Sequence, residues 1–120
     1  MGWMRKLQLM VALLCLGGTV NRAMAATPDE NRLYRVAEAA FKDGLNDLAE
    51  RQFAEYLKQF PDSERADEVV LDLAQAQLNQ GKWPDATKTL QEALAKWPTE
   101  KRPDSFRFWL AEALVHGGTL

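Results

Sequence analysis

The sequence predicts an all-α chain: a helix-turn-helix repeat solenoid of about two and a half repeats, or five helices, following an N-terminal signal helix. Three observations carry this. First, the chain matches itself under a shift of 37 residues. Val36-Ala37 falls on Leu73-Ala74 and on Leu110-Ala111; Ala39, Ala76 and Ala113 align; so do Gly44, Gly81 and Gly118. Ala49 meets Ala86, Phe53 meets Leu90, Leu57 meets Leu94, and Phe60-Pro61 meets Trp97-Pro98. Second, apolar residues recur at helical spacing between these landmarks, and no segment alternates with the period of two that a strand needs. Third, glycine and proline fall at the same places in successive repeats, where helices must stop.

Residues 1–25 read as a secretory signal peptide and 26–120 as the repeat domain, with repeats over about 30–66 and 67–103 and a half-repeat over 104–120. Arg5 and Lys6 supply the basic start, Leu7 to Leu16 the apolar stretch, and Ala23-Met24-Ala25 an A-x-A cleavage site. The apolar run is about half of the roughly 20 residues that cross a bilayer. A retained anchor is the alternative, and Gly17, Gly18, Asn21 and Arg22 weigh against a longer span. Cleavage after Ala25 gives an exported chain, periplasmic in a Gram-negative bacterium, with no stable membrane span. Cys15 is the sole cysteine and would leave with the signal. Lipoproteins are cleaved before a cysteine that follows a small residue; Leu14 is large, so lipidation at Cys15 is not expected.

Each helix has its own start and stop. Thr27-Pro28-Asp29-Glu30 opens the first, with Thr27 as cap, Pro28 in the first turn and Glu30 closing a capping box. Leu33, Val36, Ala37, Ala40 and Phe41 form its apolar face, and Asp43-Gly44 ends it. Asn46 is the expected cap of the second, whose buried face is Leu48, Ala49, Phe53, Tyr56, Leu57 and Phe60 before Pro61. The third carries Val69, Val70, Leu73, Ala74 and Leu78 and ends at Gly81. Pro84 lies in the first turn of the fourth, with Ala86, Leu90, Ala93, Leu94 and Trp97, and Pro98 stops it. Pro103 opens the fifth, with Phe106, Trp109, Leu110, Ala113 and Leu114, which ends at Gly117-Gly118. Ala37, Ala49, Ala74, Ala86 and Ala111 are expected where helices approach closely, because interaxial distances of about 8–10 Å depend on small side chains at the contact.

These slots resemble the tetratricopeptide repeat, whose pattern runs W-x2-L-G-x2-Y, A-x3-F, then P. Val36-Ala37, Leu73-Ala74 and Leu110-Ala111 take the L-G slot; Ala49 with Phe53, and Ala86 with Leu90, take A-x3-F; Pro61 and Pro98 take the last. The chain departs at the first aromatic slot (Leu33, Val70, Arg107), at the tyrosine slot (Ala40, Gln77, Leu114), and in a period of 37. Longer links, aromatic-Pro helix ends and the export signal are similar to periplasmic members of the outer-membrane-assembly lipoprotein and cell-division coordinator types. Leu14 before Cys15 argues against the first.

The resemblance implies a concave groove, lined by the first helix of each pair, that takes an extended or helical peptide. Carried over by position, its candidates are Tyr34, Glu38, Phe41 and Lys42; Leu71, Gln75, Leu78 and Asn79; and Phe108, Glu112, Val115 and His116. The alternative for Phe41, Leu78 and Val115 is core. Tyr34, Glu38, Asp72, Ser105 and Trp109 occupy the slots where some members clamp a peptide carboxylate with basic residues and asparagine, so that mode of recognition is not expected here.

The implied function is a non-catalytic protein-protein interaction scaffold with a protein or peptide partner, in envelope assembly or division. No enzyme activity, cofactor or metal is expected. His116 is the sole histidine and sits at a helix end, Ser63 and Ser105 sit at helix starts, and no Gly-rich phosphate loop is present. Without the signal the charge is −5, from 12 basic and 17 acidic residues of mixed order, which argues against nucleic acid and anionic membrane surfaces.

The last repeat has a first helix and no second. Trp109, Leu110, Ala113 and Leu114 are therefore expected to lack the helix that covers them, and Trp83, beside Pro84, is an expected exposed aromatic contact. Two readings follow: a piece of a longer array, or a homo-oligomer through the bare last helix.

Overall fold

The structure is a computed structural model that describes residues 27–98 and 102–118. The signal peptide and Cys15 lie outside the described residues. Five helices follow in order: α1 (Pro28–Lys42), α2 (Asn46–Gln59), α3 (Ala66–Asn79), α4 (Trp83–Lys96) and α5 (Pro103–His116). No strand occurs among the described residues. Each helix packs on the next, and α3 also touches α5, which gives the stacked helix-pair solenoid that the repeat predicts.

The punctuation works as expected at most boundaries. The Thr27 hydroxyl accepts from the Glu30 backbone N–H at 3.1 Å. Gly44, Gly81 and Gly118 share one slot and one left-handed conformation, with φ of +76°, +73° and +72°. A side chain at Gly44 or Gly81 would meet nothing within 4 Å, so backbone conformation rather than space selects glycine there. One cap differs from expectation. Asn46 is the first residue of α2, and its side-chain amide donates back to the Gly44 carbonyl at 3.2 Å; Leu45 precedes the helix without a side-chain cap. The Glu30 carboxylate meets the Thr27 backbone N–H, as the capping box predicts. It is buried, and accepts from Tyr56 Oη at 2.6 Å and from Ser63 Oγ.

Ala37, Ala49, Ala74 and Ala86 are completely buried, as close approach requires. Ala111, their counterpart on α5, is exposed. The slots explain this. Ala37 and Ala74 face the second helix of their own pair, and no described helix stands there for Ala111. The slot of Ala39, Ala76 and Ala113 faces the preceding pair instead. Ala76 and Ala113 are therefore buried, while Ala39, with no described pair before it, is exposed.

The core follows the stacking. Phe53 and Tyr56 of α2 are enclosed with Ala37 and Ala40 of α1 and with Val69, Leu73 and Ala76 of α3. Leu90 and Ala93 of α4 pack with Ala74 of α3 and Phe106 of α5. Full burial of a side chain such as Phe53 or Leu90 stabilises by about 1.5–3 kcal/mol. Trp97 stacks on Phe106 with ring centroids 6.2 Å apart, so it belongs to this second cluster.

Successive pairs are also tied by charge. Glu30 and Asp67 occupy equivalent first-turn slots and are both buried. Arg102 donates to Asp67 at 2.9 Å. Arg65, its counterpart, lies 4.3 Å over the Tyr34 ring, and its charge helps hold Glu30 ionised. Arg102 has φ +46°, a left-handed backbone that costs a non-glycine residue about 1–2 kcal/mol.

Candidate peptide-binding face

The first helices of the pairs, α1, α3 and α5, carry the candidate face. On α1, Tyr34 is half-buried and donates from Oη to Glu68 Oε1 at 3.1 Å. Burial, and then the Glu68 carboxylate, push its phenol up to about 12, so it stays a hydrogen-bond donor. Glu38 is half-buried and pairs with exposed Lys42 at 3.2 Å, one turn apart. Asp72, on α3, lies in the field of Glu68 and Glu38. Burial first, then those two carboxylates, push its carboxyl up to about 6, against a weaker pull from Arg102. This part of the face gathers three carboxylates, with Lys42 and Arg65 among them, beside an aromatic ring.

Further along, Gln75 is half-buried and Asn79 exposed; the Asn79 amide donates to the Asn46 side-chain oxygen at 3.1 Å. On α5, Phe108 is 57% exposed and Val115 60% exposed, which makes them the most exposed large apolar residues described. Phe108 meets Trp109 edge to face at 5.1 Å. Glu112 lies 3.4 Å from His116, whose ring stacks on Trp83 with centroids 5.1 Å apart and planes 22° from parallel.

The structure sorts the groove candidates. Tyr34, Glu38, Lys42, Gln75, Asn79, Phe108, Glu112, Val115 and His116 keep solvent-accessible surface. Leu78 is largely buried with Ala86 and Ala113, and Phe41 is half-buried and meets Phe53 edge to face at 6.0 Å, so both serve the core. Leu71 is half-buried against the second cluster. The exposed-end expectation needs correcting. Trp109 and Leu110 are half-buried against α3 and α4, Ala113 is fully buried, Leu114 is half-buried, and Trp83 is half-buried under His116. The preceding pair covers the α5 residues, as it covers Leu73 and Ala76 one repeat earlier, while Trp83 of that pair is covered by α5. The bare surface lies one position to the side, at Arg107, Phe108, Ala111 and Val115.

Glu68 and Arg65, which hold Tyr34, were not among the candidates. Only the shift of one repeat, which sets α3 beside α1, could have suggested their contact with Tyr34.

Residues 26–117 match the family model of the YfiO outer membrane lipoproteins. The chain belongs to this family. A comparison with curated proteins returns no match. Membership of the YfiO family overturns the preference drawn from Leu14 against the outer-membrane-assembly lipoprotein type. One residue next to a cysteine carries less information than slots spread over the whole repeat region. The family is one of the cell envelope, and no helix among the described residues is long and apolar enough to cross a membrane.

Proposed function

We propose that the chain is a non-catalytic scaffold of envelope assembly that holds a segment of a protein partner along α1, α3 and α5. The observation that carries this reading is the coincidence of the family match, over 26–117, with a run of stacked pairs whose first helices offer Tyr34, Glu38, Gln75, Phe108 and Glu112 on one face. In such an array the first helices carry recognition while the second helices complete the core. The chain is exported and its leader is removed after Ala25. The Ala23-Met24-Ala25 site supports that point of cleavage.

Site-specific photo-crosslinking in cells tests the reading. A photoreactive residue at Gln75 or Glu112 should trap one envelope protein. The same group at Arg51 or Lys88, on the exposed surface of the second helices, should not. Equal trapping at all four positions refutes the groove.

A second reading rests on Phe108 and Val115. Two exposed apolar residues one face apart on α5 can pair with another chain. Concentration-dependent sedimentation that Phe108→Lys abolishes supports it, and a monomer at all concentrations refutes it.

A further inference from the structure

Between α3 and α5 lies a cleft of about 170 Å³ lined by Leu78, Asn79, Trp83, Trp109, Glu112 and His116. The corresponding place one repeat earlier is occupied by Phe41, Lys42, Asn46, Asp72, Gln75 and Asn79. The comparison is informative because the same slots are filled by different chemistry. Asn46 becomes Trp83, Asp72 becomes Trp109, and Asn79 becomes His116. In the earlier place the two asparagines join by an amide hydrogen bond of 3.1 Å. In the later one their counterparts meet as stacked rings at 5.1 Å. The fold is therefore satisfied by polar side chains in these slots, and the aromatic set exceeds what stacking of the pairs requires. Trp83 and Trp109 each remain half-buried, with surface left on the cleft.

The geometry points to this cleft as a receptor for the guanidinium of an arginine on the bound partner segment. Indole faces attract cations, and a planar guanidinium stacks on them while donating in its plane to a carboxylate. Glu112 supplies that carboxylate at the cleft wall, where it also lies 3.4 Å from His116, the one basic residue of the lining, whose ring covers one face of Trp83; none of the six lining residues is Lys or Arg. The face that leads to it carries Glu38, Glu68 and Asp72 interleaved with Lys42, Arg65 and Arg102, so the choice of a cation lies with the cleft itself. This inference rests on the groove reading for the arrival of the segment, but the cleft can be tested without it.

The exported chain is labelled with 5-fluorotryptophan and titrated with N-acetyl-arginine methylamide to about 50 mM, a range suited to single-side-chain affinities. N-acetyl-citrulline methylamide, planar and uncharged, is the matched control. The arginine probe should shift the Trp83 and Trp109 fluorine signals saturably and leave Trp97, which is stacked on Phe106, unmoved. Citrulline should bind about two- to fivefold more weakly or not at all, the range expected when a cation over an aromatic face is lost. Glu112→Gln should weaken the arginine probe by a similar factor and leave citrulline unchanged. Equal affinity for the two probes, joint movement of Trp97, absence of any shift, or indifference to Glu112→Gln overturns the inference. A crosslinked partner segment at Glu112 that contains no arginine also overturns it while leaving the groove in place. Trapping at all four crosslinking positions overturns the groove and leaves the probe titration to decide the cleft.

Discussion

Replacing Tyr56 with phenylalanine removes a single oxygen from the centre of the first repeat. The ring keeps its neighbours, Tyr34 at 6.2 Å and Phe60 at 5.6 Å. What is lost is the 2.6 Å donation to the buried Glu30 carboxylate and the 2.7 Å contact with the Ser63 hydroxyl. A hydrogen bond to a charged group contributes about 1.5–3 kcal/mol. Ser63 still donates to the same carboxylate oxygen, so we expect the lower end, about 1.5 kcal/mol, near neutral pH. The pH dependence identifies the cause. Burial alone would raise the Glu30 carboxyl, but donation from Ser63 and Tyr56, with the Arg65 charge, brings it below its ordinary value of 4.5. Its contribution to stability is therefore present above about 4.5 and is lost as pH falls through the lowered value. Once Glu30 is protonated, the Tyr56 bond joins neutral groups and is worth only about 0.5–1.5 kcal/mol. Urea unfolding followed by far-UV circular dichroism, over a series from neutrality down to the acid limit of the folded state, should show a penalty for Tyr56→Phe that shrinks as pH falls. A penalty of the same size throughout the series, or none near neutrality, refutes the reasoning.

Other outcomes follow from the same structure. Ala74→Leu should cost about 1–3 kcal/mol by overpacking, whereas Ala111→Leu, in the same repeat slot but exposed, should change stability by less than about 0.5 kcal/mol; denaturant midpoints compare them. Asp72→Asn should stabilise the chain by about 1 kcal/mol above pH 6, a figure reduced for the solvent that reaches this half-buried group. Because folding raises the Asp72 carboxyl from 3.8 to about 6, wild-type stability declines as pH rises through that window, so the gain should disappear below about pH 4. Gly81→Ala should cost about 1 kcal/mol, since its φ of +73° is strained for any side chain, and thermal unfolding measures it. Intact mass of the exported chain should correspond to a start at Ala26, and a diacylglyceryl adduct on Cys15 would overturn that assignment.

Helices and their order were legible because glycine, proline and small residues act locally, within a turn of where they stand. Gly44 and Gly81 end helices wherever they occur, and a 37-residue echo shows which slots face each other. The family was legible for the same reason. Side-chain destinations were less so. Glu30 has the spacing of a capping-box residue and meets the Thr27 N–H as one, but its further partners Tyr56 and Ser63 come from the far end of α2 and the following turn, and periodicity is silent about such contacts. The bare side of α5 was misplaced by one position. Apolar character marks Trp109 and Leu110, but it does not say whether the preceding pair or a following helix covers them. Leu73 and Ala76 held that answer in the same slots as Leu110 and Ala113, and their burial shows that the preceding pair provides the cover.

The arginines at the starts of α3 and α5 have a consequence for how the array comes apart. Each stands at the threshold of one pair and reaches a carboxylate in the opening turn of the pair before: Arg102 directly on Asp67, Arg65 acting on Glu30. Every such link joins neighbours and skips none, so the free energy of the array is a chain of adjacent couplings. In a system of that kind cooperativity is a local property. Weakening one coupling splits melting into separate steps on its two sides rather than lowering the whole transition, and order spreads outward from whichever pair forms first.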